Sequence, residues 1–326
     1  MQAVRYHEYG DEGVLEIDDI EVPSPSCGEV LVRVQSASVN PVDTKLREGV
    51  LKPTGGLPQV AGTDLAGDVV EVGPNVTEFE SDDRVFGTGF GWKDQGTYAE
   101  YACVPADRLC SISENISYRS AAAAAMIYTT AWRALRDCAD ISIGEYCLIH
   151  GASGGVGHAA VQIANKLGAT VIGTCRPGSP TDIVREDGGI PVDYTQKNLL
   201  KQISKSANNN GYDVVLDLHS HKYLDMNIKI LNENGRIVNI AQGDSVLIKP
   251  DIALKAMLKQ IQINYMSIMA CSHHHKQLLS NVEQFLASND FKPRIDTVYR
   301  LDEAAAAQKH AVSSGTIGKV IIDIKN

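Results

Sequence analysis

The chain has 326 residues, 44% of them hydrophobic and 21% charged, enough apolar material for two full cores. Its formal net charge of −10 argues against a general binder of phosphate backbones, so no nucleic-acid partner is expected. No apolar run of about 18 residues and no basic-plus-apolar leader is present, which speaks against membrane insertion and secretion.

In chain order, residues 1–120 alternate short β-rich segments at 29–34, 67–72, 83–86 and 98–104 with turn clusters at Pro23, Pro25, Gly55, Gly56, Gly73 and Pro74. This pattern predicts an irregular β-barrel-like domain. The texture changes at Ser120, where five alanines lead into an alanine-rich helical segment at 129–137. A short apolar run from Cys147 to Ile149 then reads as a buried strand. After a glycine-rich turn, Ala159, Ala160, Ile163, Ala164 and Leu167 repeat at helical spacing. Seven cysteines (Cys27, Cys103, Cys110, Cys138, Cys147, Cys175 and Cys271) form no C-x-x-C pair and leave an odd one, the pattern of reduced thiols in a cytoplasm.

The turn has the form Ala152-x-Gly154-x-x-Gly157, a dinucleotide-binding fingerprint with alanine in first place. Gly154 lets backbone approach a pyrophosphate, and Gly157 lets the helix pack closely on the strand. The helix start offers N–H groups and a positive dipole end to phosphates. Ser153, Gly154, Gly155, Val156 and Gly157 are therefore candidate cofactor-binding positions. Strands are predicted at 146–150, 170–174, 191–194, 213–218, 236–240 and 263–268, with helices between them, for example at 159–166 and 252–260. Six strands with crossover helices imply an α/β fold with a doubly wound parallel sheet. The last segment, 272–326, holds a helix near 281–287, a second after Asp302 and a strand at 319–324, and is expected to return to the first domain.

Several motifs, in order, carry a resemblance over essentially the whole length. They are Ser38-Val-Asn-Pro-Val-Asp-Thr-Lys45, Ala61-Gly-Thr-Asp-Leu-Ala-Gly-Asp-Val-Val70, Gly73-Pro-Asn-Val76 and Gly96-Thr-Tyr-Ala-Glu100. Tyr128-Thr-Thr-Ala-Trp-Arg-Ala-Leu135, His150-Gly-Ala-Ser-Gly-Gly-Val-Gly157 and Gly318-Lys-Val320 follow. Together they resemble the zinc-independent quinone oxidoreductase (ζ-crystallin-like) branch of the medium-chain dehydrogenase/reductase superfamily. The resemblance implies a GroES-like catalytic domain at 1–122 and 271–326 and a Rossmann domain at 123–270. It also implies NADPH as cofactor and a homodimer or homotetramer.

Zinc-dependent relatives bind a catalytic metal through cysteine, histidine–glutamate and a second cysteine. The resembling positions here hold Asn40, Thr63 with Asp64, and Met126, none of which offers an imidazole or thiolate. No cysteine falls in 83–101, so the lobe that would hold a structural zinc lacks its ligands as well. No metal is expected. His273, His274 and His275, and the pair His219 and His221, read as solvated surface histidines rather than metal ligands.

The second predicted strand ends Thr174-Cys-Arg-Pro177, with an arginine and no carboxylate. Arg176 can pair with a 2′-phosphate, or be a surface arginine in a turn. Tyr194 resembles a tyrosine that relatives use beside that phosphate. By resemblance Asn40, Asp43 and Thr130 lie near the nicotinamide, with Thr63 helping to align substrate, and Asp43 serves equally well as a turn residue. Thr174, His219, Ala241, Gln242, Ile268 and Lys319 are further cofactor positions, although Ile268 also suits plain core. Leu46 stands where relatives often carry a substrate-facing tyrosine, which leaves Tyr128 as the candidate proton donor against a packing role. Three functions stay open: NADPH-dependent reduction of a quinone or similar conjugated carbonyl, C=C reduction of enals, enones or enoyl thioesters, and NADPH binding with little turnover.

Overall fold

The computed structural model describes residues 1–240, 245–269 and 275–324. The chain divides into two compact units, Met1–Thr129 with Ile268–Asn326, and Thr130–Ser267. The first unit begins with β1 (Gln2–Tyr6), β2 (Glu16–Asp19), β3 (Glu29–Val39), α1 (Pro41–Arg47) and β4 (Gln59–Val60). It continues with β5 (Asp64–Val72), β6 (Arg84–Thr88), β7 (Tyr101–Pro105) and β8 (Leu109–Ser111). Helix α2 (Tyr118–Trp132) carries the chain into the second unit and ends in a π-helical turn, Arg133–Cys138.

The second unit alternates β9 (Tyr146–Ile149), α3 (Gly155–Lys166), β10 (Thr170–Cys175), α4 (Ser179–Glu186), β11 (Ile190–Asp193) and α5 (Leu199–Ser206). It then adds β12 (Tyr212–Asp217), α6 (Ser220–Ile230), β13 (Leu231–Asn239), α7 (Pro250–Leu258) and β14 (Gln262–Tyr265). The first unit closes with α8 (His275–Ala287), β15 (Ile295–Arg300), α9 (Ala304–Ala311) and β16 (Lys319–Asp323). Among the described residues, no helix is long and apolar enough to cross a membrane.

Two sheets form the first unit. The larger runs β15-β16-β3-β5-β6-β8, with β7 also paired to β3; the smaller is β2-β1-β4. Val30, Val32 and Val34 of β3 pack with Leu65, Val69, Val85, Val104 and Leu109 in one core. A second core joins Val39 to Leu301, Ala304, Val320 and Ile322, so the C-terminal segment does return to this unit. β3 runs to Val39, five residues beyond its predicted end. Its last turns hide from an apolar alternation because Ser36 and Ser38 are buried and satisfied by Asp323 and Asp64.

The second unit is a six-stranded parallel sheet in the order β11-β10-β9-β12-β13-β14. This is the doubly wound arrangement, with its order reversing between β9 and β12. Three boundaries differ by more than two residues from those predicted. Helix α3 begins at Gly155 rather than 159, because glycines carry no periodic signal. β13 begins at Leu231 rather than 236, and its register against β12 shifts between Leu231 and Arg236. β14 stops at Tyr265 rather than 268, because its partner β13 ends at Asn239 and leaves no ladder to continue.

Candidate functional site

The carboxyl ends of the parallel strands carry Ser153 to Gly157, Thr174, Arg176, Tyr194 and His219, while Thr130 lies on α2. β9 ends at Ile149, and the chain turns through Gly151, whose φ of +68° is strained for any residue with a side chain. Gly154 then caps α3. A Cβ at Gly157 would lie 2.0 Å from the Gly151 carbonyl, so glycine is required there for close helix–strand packing. Gly154 differs: a Cβ there would meet only the Gly151 carbonyl, at an ordinary 3.4 Å. The fold itself does not demand glycine at 154. Ser153 to Val156 are half-buried, and the first turn of α3 leaves N–H donors unmade inside the helix.

Register brings Arg176 and Tyr194 together. Cys175 pairs with Asp193 across β10 and β11, and the next residue on each strand is Arg176 and Tyr194. Tyr194 is partly exposed and its N–H bonds the Cys175 carbonyl at 3.2 Å. Arg176 is half-buried and makes no ion pair among the described residues. Thr130 is buried, and its hydroxyl has no partner among the described residues. An unmade buried hydroxyl costs about 1–3 kcal/mol, so an incoming polar group there is favoured.

Thr174 takes another role in the fold. Its hydroxyl oxygen accepts the Gly151 N–H at 3.2 Å and lies 3.3 Å from His150 Nδ1. His150 Nε2 lies 2.9 Å from Asn227 Oδ1, and Asn227 donates to Asp217 at 2.7 Å. Asp217 in turn accepts the His219 N–H at 2.7 Å. Burial pushes His150 down to about 4, so its ring is neutral near pH 7. Burial also raises Asp217, against the opposing pull of its donors. His219 is exposed and stands over the glycine turn, 3.5 Å from where a Gly151 side chain would begin.

His150, Asp217, Asn227 and Asn239 were not legible as site residues. For all but Asn227, which lies on α6, the available signal was a polar residue at the end of an apolar strand. Asn239 is buried with both amide atoms unpartnered among the described residues. Ile268 is buried beyond the end of β14, within the first unit. Ala241 and Gln242 lie outside the described residues.

The first unit holds a closed polar cluster. Asn40 precedes α1, and Asp43 in the first turn accepts the Asn40 N–H at 2.8 Å. The other Asp43 oxygen accepts from Thr63 at 2.7 Å, while Tyr98 donates to Asp43 at 2.7 Å. Asn40 Nδ2 donates to Thr63 (3.1 Å) and Asp64 (2.8 Å). Ser38 (2.5 Å) and Thr88 (2.6 Å) also donate to Asp64. From β16, the Lys319 ammonium donates to Asn40 Oδ1 and to the Val39 carbonyl. All of these side chains are buried.

Burial raises Asp43 to about 6 despite its three donors. Burial raises Asp64 as well, with Lys319 opposing, and lowers Lys319, with Asp64 opposing. Ser38, Thr88 and Tyr98 are additions to the residues singled out by sequence, where Asp64 was named only as lacking a zinc donor. Asp64 is a carboxylate standing directly before the buried Leu65 and Ala66 of β5, which is a readable sign.

Tyr128 is fully buried with its ring stacked on Phe291, centroids 4.9 Å apart, which is a packing geometry. His275 is buried beside Gly89, not solvated as expected; His273 and His274 lie outside the described residues. At the resembling metal positions, Asn40, Thr63 and Asp64 spend their polar atoms on one another, and Met126 offers only a buried thioether. This donor set does not fit zinc. Among the described residues, the one group with metal-capable spacing is His7, Glu16 and Asp18 on the β1–β2 side, where Arg5 already pairs with Asp18.

Residues 26–114 match the family model for the alcohol dehydrogenase GroES-like domain, and residues 189–322 match that for zinc-binding dehydrogenase. The chain is 33% identical to a quinone oxidoreductase of Rattus norvegicus, covering 99% of this chain and 97% of that one. A solved structure described as an NAD-dependent alcohol dehydrogenase aligns over the whole of both chains, at TM-score 0.90 and 28% identity. The quinone oxidoreductase from Coxiella burnetii aligns over 100% of this chain and 99% of that one, at TM-score 0.87 and 27% identity. With a GroES-like unit, a doubly wound unit and near-complete coverage by such relatives, the chain belongs to the quinone oxidoreductase family of the medium-chain dehydrogenase/reductase superfamily.

Proposed function

We propose that this chain reduces quinones or similar conjugated carbonyls with NADPH and without a metal ion. The observation that carries the reading is the closed cluster of Asn40, Thr63, Asp64 and Lys319, in which an ammonium supplies the positive charge beside the buried carboxylates. With no Lewis acid, oxidation of an alcohol through its alkoxide is disfavoured. Reduction of an acceptor that is already electron-poor asks chiefly for proximity and alignment.

When bound, a reduced nicotinamide supplies a hydride. The protein's share is to hold that cofactor: the first turn of α3 faces the pyrophosphate, the Thr130 hydroxyl meets a polar group, and Arg176 with Tyr194 takes the 2′-phosphate. Arg176 at the end of β10, with no carboxylate there for a ribose 2′-hydroxyl, supports NADPH over NADH. The unpaired cysteines among the described residues suit a reducing cytoplasm.

Self-association through the β14 edge is part of the same proposal. Tyr265 on this edge strand is 65% exposed, and Met257 and Leu258 of the preceding helix are exposed to a similar degree. An uncovered strand edge flanked by large apolar side chains favours pairing with another copy.

The test is a panel of acceptors with each nicotinamide cofactor, followed at the nicotinamide absorbance. Steady oxidation of NADPH with 9,10-phenanthrenequinone is expected. Turnover of enals with none of quinones would replace this reading with C=C reduction, and no turnover of either would leave a binding protein.

A further inference from the structure

Four neighbouring strands of the parallel sheet end in polar residues at one level. Gly173 pairs with Ile149 and Leu216 pairs with Ile149, so the next residues, Thr174, His150 and Asp217, stand side by side. Asp217 pairs directly with Asn239. Two residues earlier on the same strands, Ile172, Leu148, Val215 and Ile237 belong to one apolar core. The period of two puts the polar row on that same face. The row crosses the switch point between β9 and β12, where open parallel sheets take their ligands.

The hydrogen bonds fix a direction along the row. Asn227 spends its N–H on Asp217, so its Oδ1 accepts from His150 Nε2. His150 Nδ1 is then an acceptor for the Thr174 hydroxyl, and the Thr174 oxygen accepts the Gly151 N–H. At the other end Asp217 accepts the His219 N–H. Two backbone amides, one in the glycine turn and one before α6, are thus anchored to a single chain of side chains. The His150 ring is stacked on Tyr223 with centroids 4.4 Å apart, and it stays neutral near pH 7, so the direction does not reverse there.

We propose that His150 is a positioning residue for the dinucleotide, holding the Gly151 and His219 turns in one arrangement through Thr174, Asn227 and Asp217. This rests on the nicotinamide-cofactor reading above. Because the chain addresses turns and not the 2′-phosphate, it serves NADPH and NADH alike.

The test uses the full-length protein and two variants. His150→Phe keeps an aromatic ring for Tyr223 and removes both hydrogen bonds; Thr174→Val removes the hydroxyl alone. Dissociation constants for NADPH and NADH are measured by fluorescence titration, at a temperature where circular dichroism shows each variant folded. Each variant is expected to bind both cofactors about tenfold more weakly, the effect of roughly one lost hydrogen bond. The double variant should be no worse than the weaker single one, as members of one chain behave. Amide hydrogen exchange at Gly151 and His219 should quicken together in His150→Phe, a coupling that a role in packing alone would not produce. Wild-type affinity in the variants, or losses that multiply in the double variant, would overturn the proposal. If His150→Phe does not fold, the affinity of Thr174→Val decides alone. A wild-type chain that binds neither cofactor would instead overturn the reading beneath it.

Discussion

Asn40 has both ends of its amide committed, Oδ1 to Lys319 and Nδ2 to Thr63 and Asp64. The resemblance set Asn40 beside the nicotinamide; the fold uses both its donor and its acceptor internally. Lys319, expected as a cofactor contact, is likewise occupied within the cluster. Arg176 is the opposite case, a cation with no ion pair among the described residues, at a strand end where nucleotides bind. A charge-assisted hydrogen bond contributes about 1.5–3 kcal/mol, so Arg176→Ala should weaken NADPH by roughly 10–100-fold and leave NADH nearly unchanged. Equal losses for both cofactors, by titration, would remove Arg176 as the reader of the 2′-phosphate. Residues such as Gly154 and Arg176 could be singled out from sequence because the chemistry expected of them is local. The row through His150 and Asn227 was not, since its members are 77 positions apart in sequence and meet only across strands.

Among the elements, the strand–turn–helix at β9 and α3 was the most readable, because Gly151 and Gly157 each answer a local demand of backbone or packing. Element ends were less readable. β3 continues through Ser36 and Ser38 because carboxylates elsewhere in the chain satisfy them, and β14 stops early because its partner does. The six strands of the parallel sheet were all foreseen, since buried parallel strands are near-continuous apolar runs. Edge strand β14 gives the expectation belonging to this scale. Light scattering should return at least twice the mass of a single chain, and the double variant Leu258→Asp with Tyr265→Asp should return a single-chain mass. A wild-type monomer at micromolar concentration would contradict the edge as a self-association surface.

At the scale of the whole molecule, each unit contributes one set of groups. The first unit holds a buried cluster whose donors and acceptors satisfy one another at the positions where zinc-dependent relatives keep a metal. The second holds a glycine turn and Arg176 at the carboxyl ends of its strands, and on α2 the Thr130 hydroxyl; among the described residues Thr130 has no hydrogen-bond partner and Arg176 no ion pair. The two-unit plan was legible from the change of texture at Ser120 and from ordered motifs. The internal wiring of the polar cluster was not, because Ser38, Asp64, Thr88, Tyr98 and Lys319 come from separate strands and loops. The most direct measurement of the central claim is NADPH oxidation with 9,10-phenanthrenequinone by protein dialysed against a strong chelator, with its zinc content determined in parallel. The expected result is an unchanged rate at negligible zinc, and a rate that collapses on chelation and returns with stoichiometric zinc would contradict the account.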